Sequence, residues 1–200
     1  FEKSREHFAR TSTVEKGVVQ SDTLVQVAII DERGILVAST AESNPAPIDL
    51  SDREHFKVHE HENDDQLYIS KPVLGRVSHQ WTLQMTRRLN HADGSFAGVV
   101  VVSEDPSYFT SDFYNNAAIG KDGVIAVIAD NGAVLARRTG LARTPAGAFS
   151  ASGTYPISEH VSGTMVDPID HIKRIVSYRH IDGYPMGVLV GLSEAEEFAD

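Results

Sequence analysis

Two hundred residues, 41% of them hydrophobic, suffice to bury one large core or two small ones. A formal charge of −10 excludes nucleic acid and anionic membrane surfaces as partners of the domain as a whole. Without cysteine there are no disulfides, thiolate metal sites or cysteine nucleophile, and the compartment stays open. No apolar run approaches the roughly 18 residues of a membrane span. The chain begins at Phe1 in what reads as mid-helix sequence, so an excised fragment with its flanking spans removed is expected.

In chain order, residues 1 to about 20 carry Phe8, Val14, Val18 and Val19 at helical spacing among polar residues, which predicts an amphipathic helix. Leu24 to Ile30 is a β-rich run, Asp31-Glu32-Arg33-Gly34 a turn, and Ile35 to Ala38 a second run, the pattern of a hairpin. Asp52 to His61 reads as a short helix capped by Ser51 or Asp52. Leu67 to Ser70 is a short strand halted by Pro72. Gln80 to Leu89 alternates, with Trp81, Leu83, Met85 and Arg87 on one face and Thr82, Gln84 and Thr86 on the other. A turn at Asn90 to Gly94 leads into the apolar run Phe96 to Ser103. Asp105 before Pro106 signals the start of a further helix.

After about residue 120 the order recurs. Val124 to Ile128, the turn Asp130-Asn131-Gly132 and Val134 to Ala136 repeat the first hairpin, and Ile172 to Ile181 repeats the long alternating strand. Asp93-Gly94-Ser95-Phe96-Ala97-Gly98-Val99 is echoed by Asp182-Gly183-Tyr184-Pro185-Met186-Gly187-Val188, a shift of 89 residues (93 to 182) that also carries Phe109 onto Phe198. A unit this long is no solenoid repeat. It reads as two copies of one α/β module, each with a largely antiparallel sheet and helices on one side. Ser152-Gly153 and Ser162-Gly163 are assigned to turns.

The stretch Asp52-Arg53-Glu54-His55-Phe56, then Tyr68 to Arg76, then Trp81-Thr82-Leu83-Gln84 and Gly98 to Phe109 resembles the membrane-distal half of a double Cache domain. It is most similar to the sensor regions of bacterial histidine kinases and diguanylate cyclases. The resemblance covers about residues 15 to 200. It implies an α+β fold: a long N-terminal stalk helix over residues 1–22, then two tandem PAS-like modules, each a largely antiparallel sheet flanked by helices. The distal module takes residues 23–118, the proximal one 119–192, and the start of an exit helix 193–200. It also implies a periplasmic domain of a membrane receptor with flanking transmembrane helices, an output domain in the cytoplasm and a homodimer through the N-terminal helix. The domain itself is then a small-molecule sensor, without a cofactor, and not an enzyme.

In the amino-acid-binding branch of that family, an Arg-x-Trp-Tyr segment supplies an arginine for the ligand carboxylate. An aspartate after the last strand takes the ammonium. Arg53 matches the arginine and Asp105 the aspartate. His55 stands in place of Trp, Phe56 in place of Tyr, and Val73 where a tyrosine follows Pro72. These departures widen the implied ligand from an amino acid to a small carboxylate or another polar metabolite. His59, Lys71 and Arg76 would add positive character, with Tyr68 and Trp81 as aromatic walls.

Plainer readings stand beside these. Arg53 also suits a surface helix, Asp105 a helix cap, Phe56, Tyr68 and Trp81 a core, and Lys71 and Arg76 solvated loops. His55 and His59, four apart among acidic residues, share a helix face at a spacing able to hold Zn²⁺ or Ni²⁺. A nucleophile elbow, a phosphate-binding glycine loop and a dinucleotide fingerprint are all missing from the sequence. Sensor, metal-binding domain and non-binding dimerisation spacer therefore remain, and the second copy, which has no counterpart of the Arg53 segment, looks closer to a spacer.

Overall fold

The computed structural model describes residues 24–41, 46–62, 64, 66–110, 118–149, 154–158 and 160–199. The expected N-terminal helix and the Ser152-Gly153 turn lie outside the described residues. Two compact units divide at Asp105/Pro106, with Lys71–Val73 assigned to the second.

In the first unit, β1 (Leu24–Asp31) and β2 (Leu36–Ser39) form a hairpin whose turn is held by one carboxylate. Asp31 accepts from the backbone N–H groups of Arg33 and Ile35 at 3.0 and 2.9 Å. Gly34 turns the chain at φ +82°, where a Cβ would meet that of Ser51 at 2.5 Å. Helix α1 spans Glu54–His61, followed by β3 (Tyr68–Ile69), β4 (Val73–Leu74), β5 (Trp81–Asn90) and β6 (Phe96–Glu104). The sheet order is β2-β1-β6-β5-β3, with β4 also on β5. Phe56 of α1, with Ala28, Ile30, Leu36, Leu50, Val99 and Val101, forms the core between helix and sheet. Its ring lies edge-on to Phe96 at 5.5 Å.

The N-cap of α1 is Arg53, and no side chain caps it; Ser51 and Asp52 do not fill the expected role. The Asp52 carboxylate is taken by the Arg76 guanidinium, a charge-assisted fork at 2.6 and 2.7 Å that competes well against a neutral N–H donor.

The second unit opens with the 3-10 helix Pro106–Thr110, at the helix start expected after Asp105. It continues with β7 (Val124–Ala129), β8 (Val134–Thr139), β9 (Ala142–Arg143), α2 (Ala146–Phe149), β10 (His160–Val166), β11 (Lys173–His180), β12 (Met186–Ser193) and α3 (Glu194–Glu197). The order β10-β11-β12-β7-β8-β9 repeats that of the first sheet: the opening hairpin lies beside the last strand of the closing hairpin. Ser162-Gly163 is not a turn. Both residues sit in β10, paired with Ser177 and Val176, because the strand continues unbroken to Val166.

The echo at 89 residues holds for the Asp-Gly turns but not for the strands beyond them. Val99 faces the first core opposite Ile30, whereas Val188 pairs with Val127 on the face of β7 away from the second core. The β5–β6 hairpin carries a register shift at Leu89/Asn90, and β11–β12 has none. One extra residue turns every following side chain to the other face.

Candidate functional site

In β5 the face carrying Thr82, Gln84 and Thr86 is turned toward α1, and all three side chains are buried. Cross-strand partners share a face, so Gln84 stands beside Ser103 of β6, and Ser103 beside Gln26 of β1. The Ser103 hydroxyl donates to Gln84 Oε1 at 2.8 Å, and Gln84 Nε2 donates to Thr82 Oγ1 at 2.7 Å. Gln26 Nε2 donates to Ser39 Oγ at 2.9 Å, and the Gln84 backbone N–H to Ser70 Oγ at 3.0 Å. A row of neutral hydrogen-bonding groups thus crosses the sheet next to the apolar core. Among the described residues each primary amide keeps one further N–H, and Thr82 its hydroxyl proton, for another partner.

Helix α1 supplies the other wall. His59 lies 2.8 Å through Nε2 from Thr86 Oγ1, and Thr86 in turn donates to the His55 carbonyl at 3.4 Å. Burial lowers the His59 pKa, against the raising effect of its Thr86 contact. The other end of the helix is held by Arg88, which donates to the carbonyls of His59 and Glu62 and lies 4.6 Å over the Phe96 ring.

His55 is 6% exposed, and among the described residues its ring makes no hydrogen bond. Burial first, then repulsion from Arg53 and His59, lowers its pKa to about 4, so the imidazole is neutral at pH 7. A neutral ring with a free donor and a free acceptor is able to meet either kind of ligand group.

Arg53 is half-buried and donates to the Leu74 carbonyl at 3.2 Å; among the described residues it forms no ion pair. Desolvation, then the neighbouring Arg76 guanidinium, lowers its pKa, and Asp52 only partly offsets this. Arg76 is exposed and committed to Asp52 and the Asp49 carbonyl, so it closes a loop and is not an open anion site.

The structure therefore gathers Arg53, His55, His59 and Tyr68 along α1 and the facing strands. The half-buried Tyr68 ring stands edge-on to His59 at 6.3 Å. Burial, then the nearby Glu54, raises its pKa, and it remains a neutral phenol. Phe56, 1% exposed, serves the core. Trp81, 39% exposed, lies on the opposite face of β5 from Thr82 and Gln84, and Lys71 is exposed. Asp105 directly follows β6 and is half-buried. As for a metal, His59 Nε2 is turned to Thr86, and among the described residues no group of three His, Asp or Glu side chains is placed to hold an ion. Gln26, Ser70 and Ser103 escaped sequence reasoning. The available signal was a polar residue inside or ending an otherwise apolar strand, joined to the alternating Thr82, Gln84 and Thr86.

Two antiparallel sheets of one strand order, each with helical segments, are consistent with a PAS-like fold. The chain belongs to the Cache domain family, which it matches over residues 3–200. Among the solved structures it resembles the extracellular domain of rpHK1S-Z16, assigned as a histidine kinase, at 29% identity and TM-score 0.75, covering 96% of this chain and 79% of that one. It also resembles the sensor domain of the Vibrio cholerae histidine kinase DctB, at 16% identity and TM-score 0.55 over 96% and 80% of the two chains. A third is the ligand-binding domain of the Pseudomonas aeruginosa PAO1 amino-acid chemoreceptor PctC in complex with GABA, at 19% identity and TM-score 0.54 over 96% and 91%. Among curated proteins no match is found. No helix of the described residues is long and apolar enough to cross a membrane.

Proposed function

We propose that the chain is the extracytoplasmic sensor of a membrane receptor and that its first unit binds a small polar metabolite bearing a carboxylate. The observation that carries this reading is Arg53: a half-buried guanidinium, held at the N-cap of α1, beside a second guanidinium and, among the described residues, in no ion pair. A ligand carboxylate supplies the missing counter-charge with fork geometry. The His55 ring, unbonded among the described residues, and the N–H groups that Gln26 and Gln84 keep there then take the remainder of the ligand, and Asp105 an ammonium if the ligand has one. That PctC holds GABA in this fold supports a ligand of amino-acid size.

The mechanism in this reading is a population shift. Ligand binds one position of α1 relative to the sheet better than another, and only that difference in affinity is available for transmission. The shift passes to the chain ends, to flanking transmembrane helices and on to a cytoplasmic histidine kinase or diguanylate cyclase, with a dimer through the N-terminal segment. The spacer reading retains one observation in its favour: Gln26 already bonds to Ser39, and Ser103, Gln84 and Thr82 bond to one another.

The test is a melting-temperature series against carboxylates and amino acids, on wild type and Arg53→Ala. A ligand that binds only the folded state raises the melting temperature. Stabilisation of wild type that Arg53→Ala loses while still melting cooperatively is the expected result. Equal stabilisation of both proteins, or of neither, overturns the assignment of Arg53.

A further inference from the structure

The second unit gathers four charged side chains, three of them buried, that the proposed ligand site does not use. Arg137 of β8 and Arg174 of β11 both project from the inner face of the sheet, and each is almost wholly buried. Arg137 pairs with the core residue Ala126, and Arg174 lies opposite Ser193. Their guanidinium groups converge on the turn between β10 and β11. There Arg174 forks onto Asp170, Nη1 to Oδ1 and Nη2 to Oδ2, both at 2.7 Å, and Arg137 Nη2 reaches Asp170 Oδ2 at 2.5 Å. Arg174 Nε donates to the Asp122 carbonyl at 2.7 Å, which fixes the plane of the fork. Gly191 leaves the space: a Cβ there would lie 3.1 Å from Arg174 Cδ.

The two acids are not equivalent. Asp167 is buried and anchored from all sides. It accepts from Tyr155 at 2.5 Å, from the Ile169 N–H at 2.8 Å and from Arg137 at 3.2 Å, and contacts Arg174 at 3.0 Å. The Asp170 side chain is 25% exposed and sits nearer the solvent end of the cluster, on a turn that ends at His171 with φ +60°. Asp167 is thus the fixed counter-ion of the arginine pair. Asp170 occupies the position at which a carboxylate arriving from solvent would bind, held by a bidentate fork and a second guanidinium.

We infer that the second unit carries its own ligand: Asp170 is a tethered carboxylate filling a two-arginine site whose chemistry is that of a receptor for formate- or acetate-sized anions. Because the tether is a tight turn, its effective concentration exceeds that of free carboxylates, and the unit stays in its occupied state. It does not respond to small acids unless Asp170 is removed. This inference does not depend on the site proposed for the first unit.

The test removes the tethered group and returns it free. Asp170→Ala deletes the carboxylate and leaves a space of its size, with Arg137 and Arg174 short of one counter-charge. Sodium formate and sodium acetate are titrated into the 200-residue chain against sodium chloride at equal ionic strength, with melting temperature as readout. The expected result is a saturable rise for Asp170→Ala with formate, a smaller one with acetate, none above chloride for wild type, and none for Asp170→Ala combined with Arg174→Ala. Asp170→Ser, which retains a hydroxyl for the Ile172 N–H that Asp170 binds at 3.1 Å, is the second variant. If either variant folds only in formate, the inference stands. If the folded variants gain no more from formate than from chloride, or both stay unfolded in either salt, it is wrong.

Discussion

The neutral state of His55 has a measurable consequence for stability. Its pKa falls from 6.5 to about 4 in the folded chain, with burial as the main cause, repulsion from Arg53 and His59 adding to it and Asp52 opposing. A depressed histidine remains unprotonated in the folded state while the unfolded chain takes up a proton. Between pH 6.5 and about 4 the unfolded state therefore binds more protons, and stability is lost as pH falls through that window. The gap of 6.5 − 4, about 2.5 units at about 1.36 kcal/mol each, sets a ceiling of about 3 kcal/mol, of which about 2 kcal/mol is already gone at pH 5. The assay is urea unfolding of wild type and His55→Gln at about pH 7.5 and pH 5, with the slope checked for constancy. Gln stays neutral across this range and keeps a donor and an acceptor. Wild type should lose about 2 kcal/mol more than the variant on acidification. Equal losses in the two proteins would refute the argument, because they would show that His55 takes up its proton at an ordinary pH in the folded chain.

Phe56→Ala empties the centre of the first core and should cost about 3–5 kcal/mol in denaturant unfolding, a loss that leaves no room for Phe56 as a mobile ligand wall. In the second unit, Asp167→Ala strips the buried counter-ion from Arg137 and Arg174 and should destabilise by about 3–5 kcal/mol in the same measurement. Arg76→Ala should cost less than about 1 kcal/mol, since both partners of its ion pair are exposed.

The strands were legible because their signals are local. Alternation in Gln80 to Leu89, the apolar run Phe96 to Ser103 and the Asp-Gly turns all depend on residues close in sequence. The helix cap at Asp52 was misread for the opposite reason. The competing donor, Arg76, lies 24 residues away, and local capping statistics do not include it. Arg53 was singled out through its family motif, and the structure adds that it is half-buried at the N-cap of the first helix and, among the described residues, in no ion pair. Arg137, Arg174, Asp167 and Asp170 were missed. Two arginines, each beside another cation in its own strand, and two aspartates in a turn carry no joint signal until the sheet brings β8 and β11 to one face.

Composition, charge and the absence of cysteine narrowed the chemistry, and periodicity with the recurring Asp-Gly hairpins implied two similar antiparallel sheets. Those properties follow from steric and hydrophobic preferences that act over a few residues. Tertiary structure alone decided which face of β5 turns inward, which cations keep a partner, and that Val99 and Val188 point to opposite faces despite their matching sequence. Facing depends on register, a single bulge reverses it, and the free energy of a buried charge depends on partners contributed by distant strands.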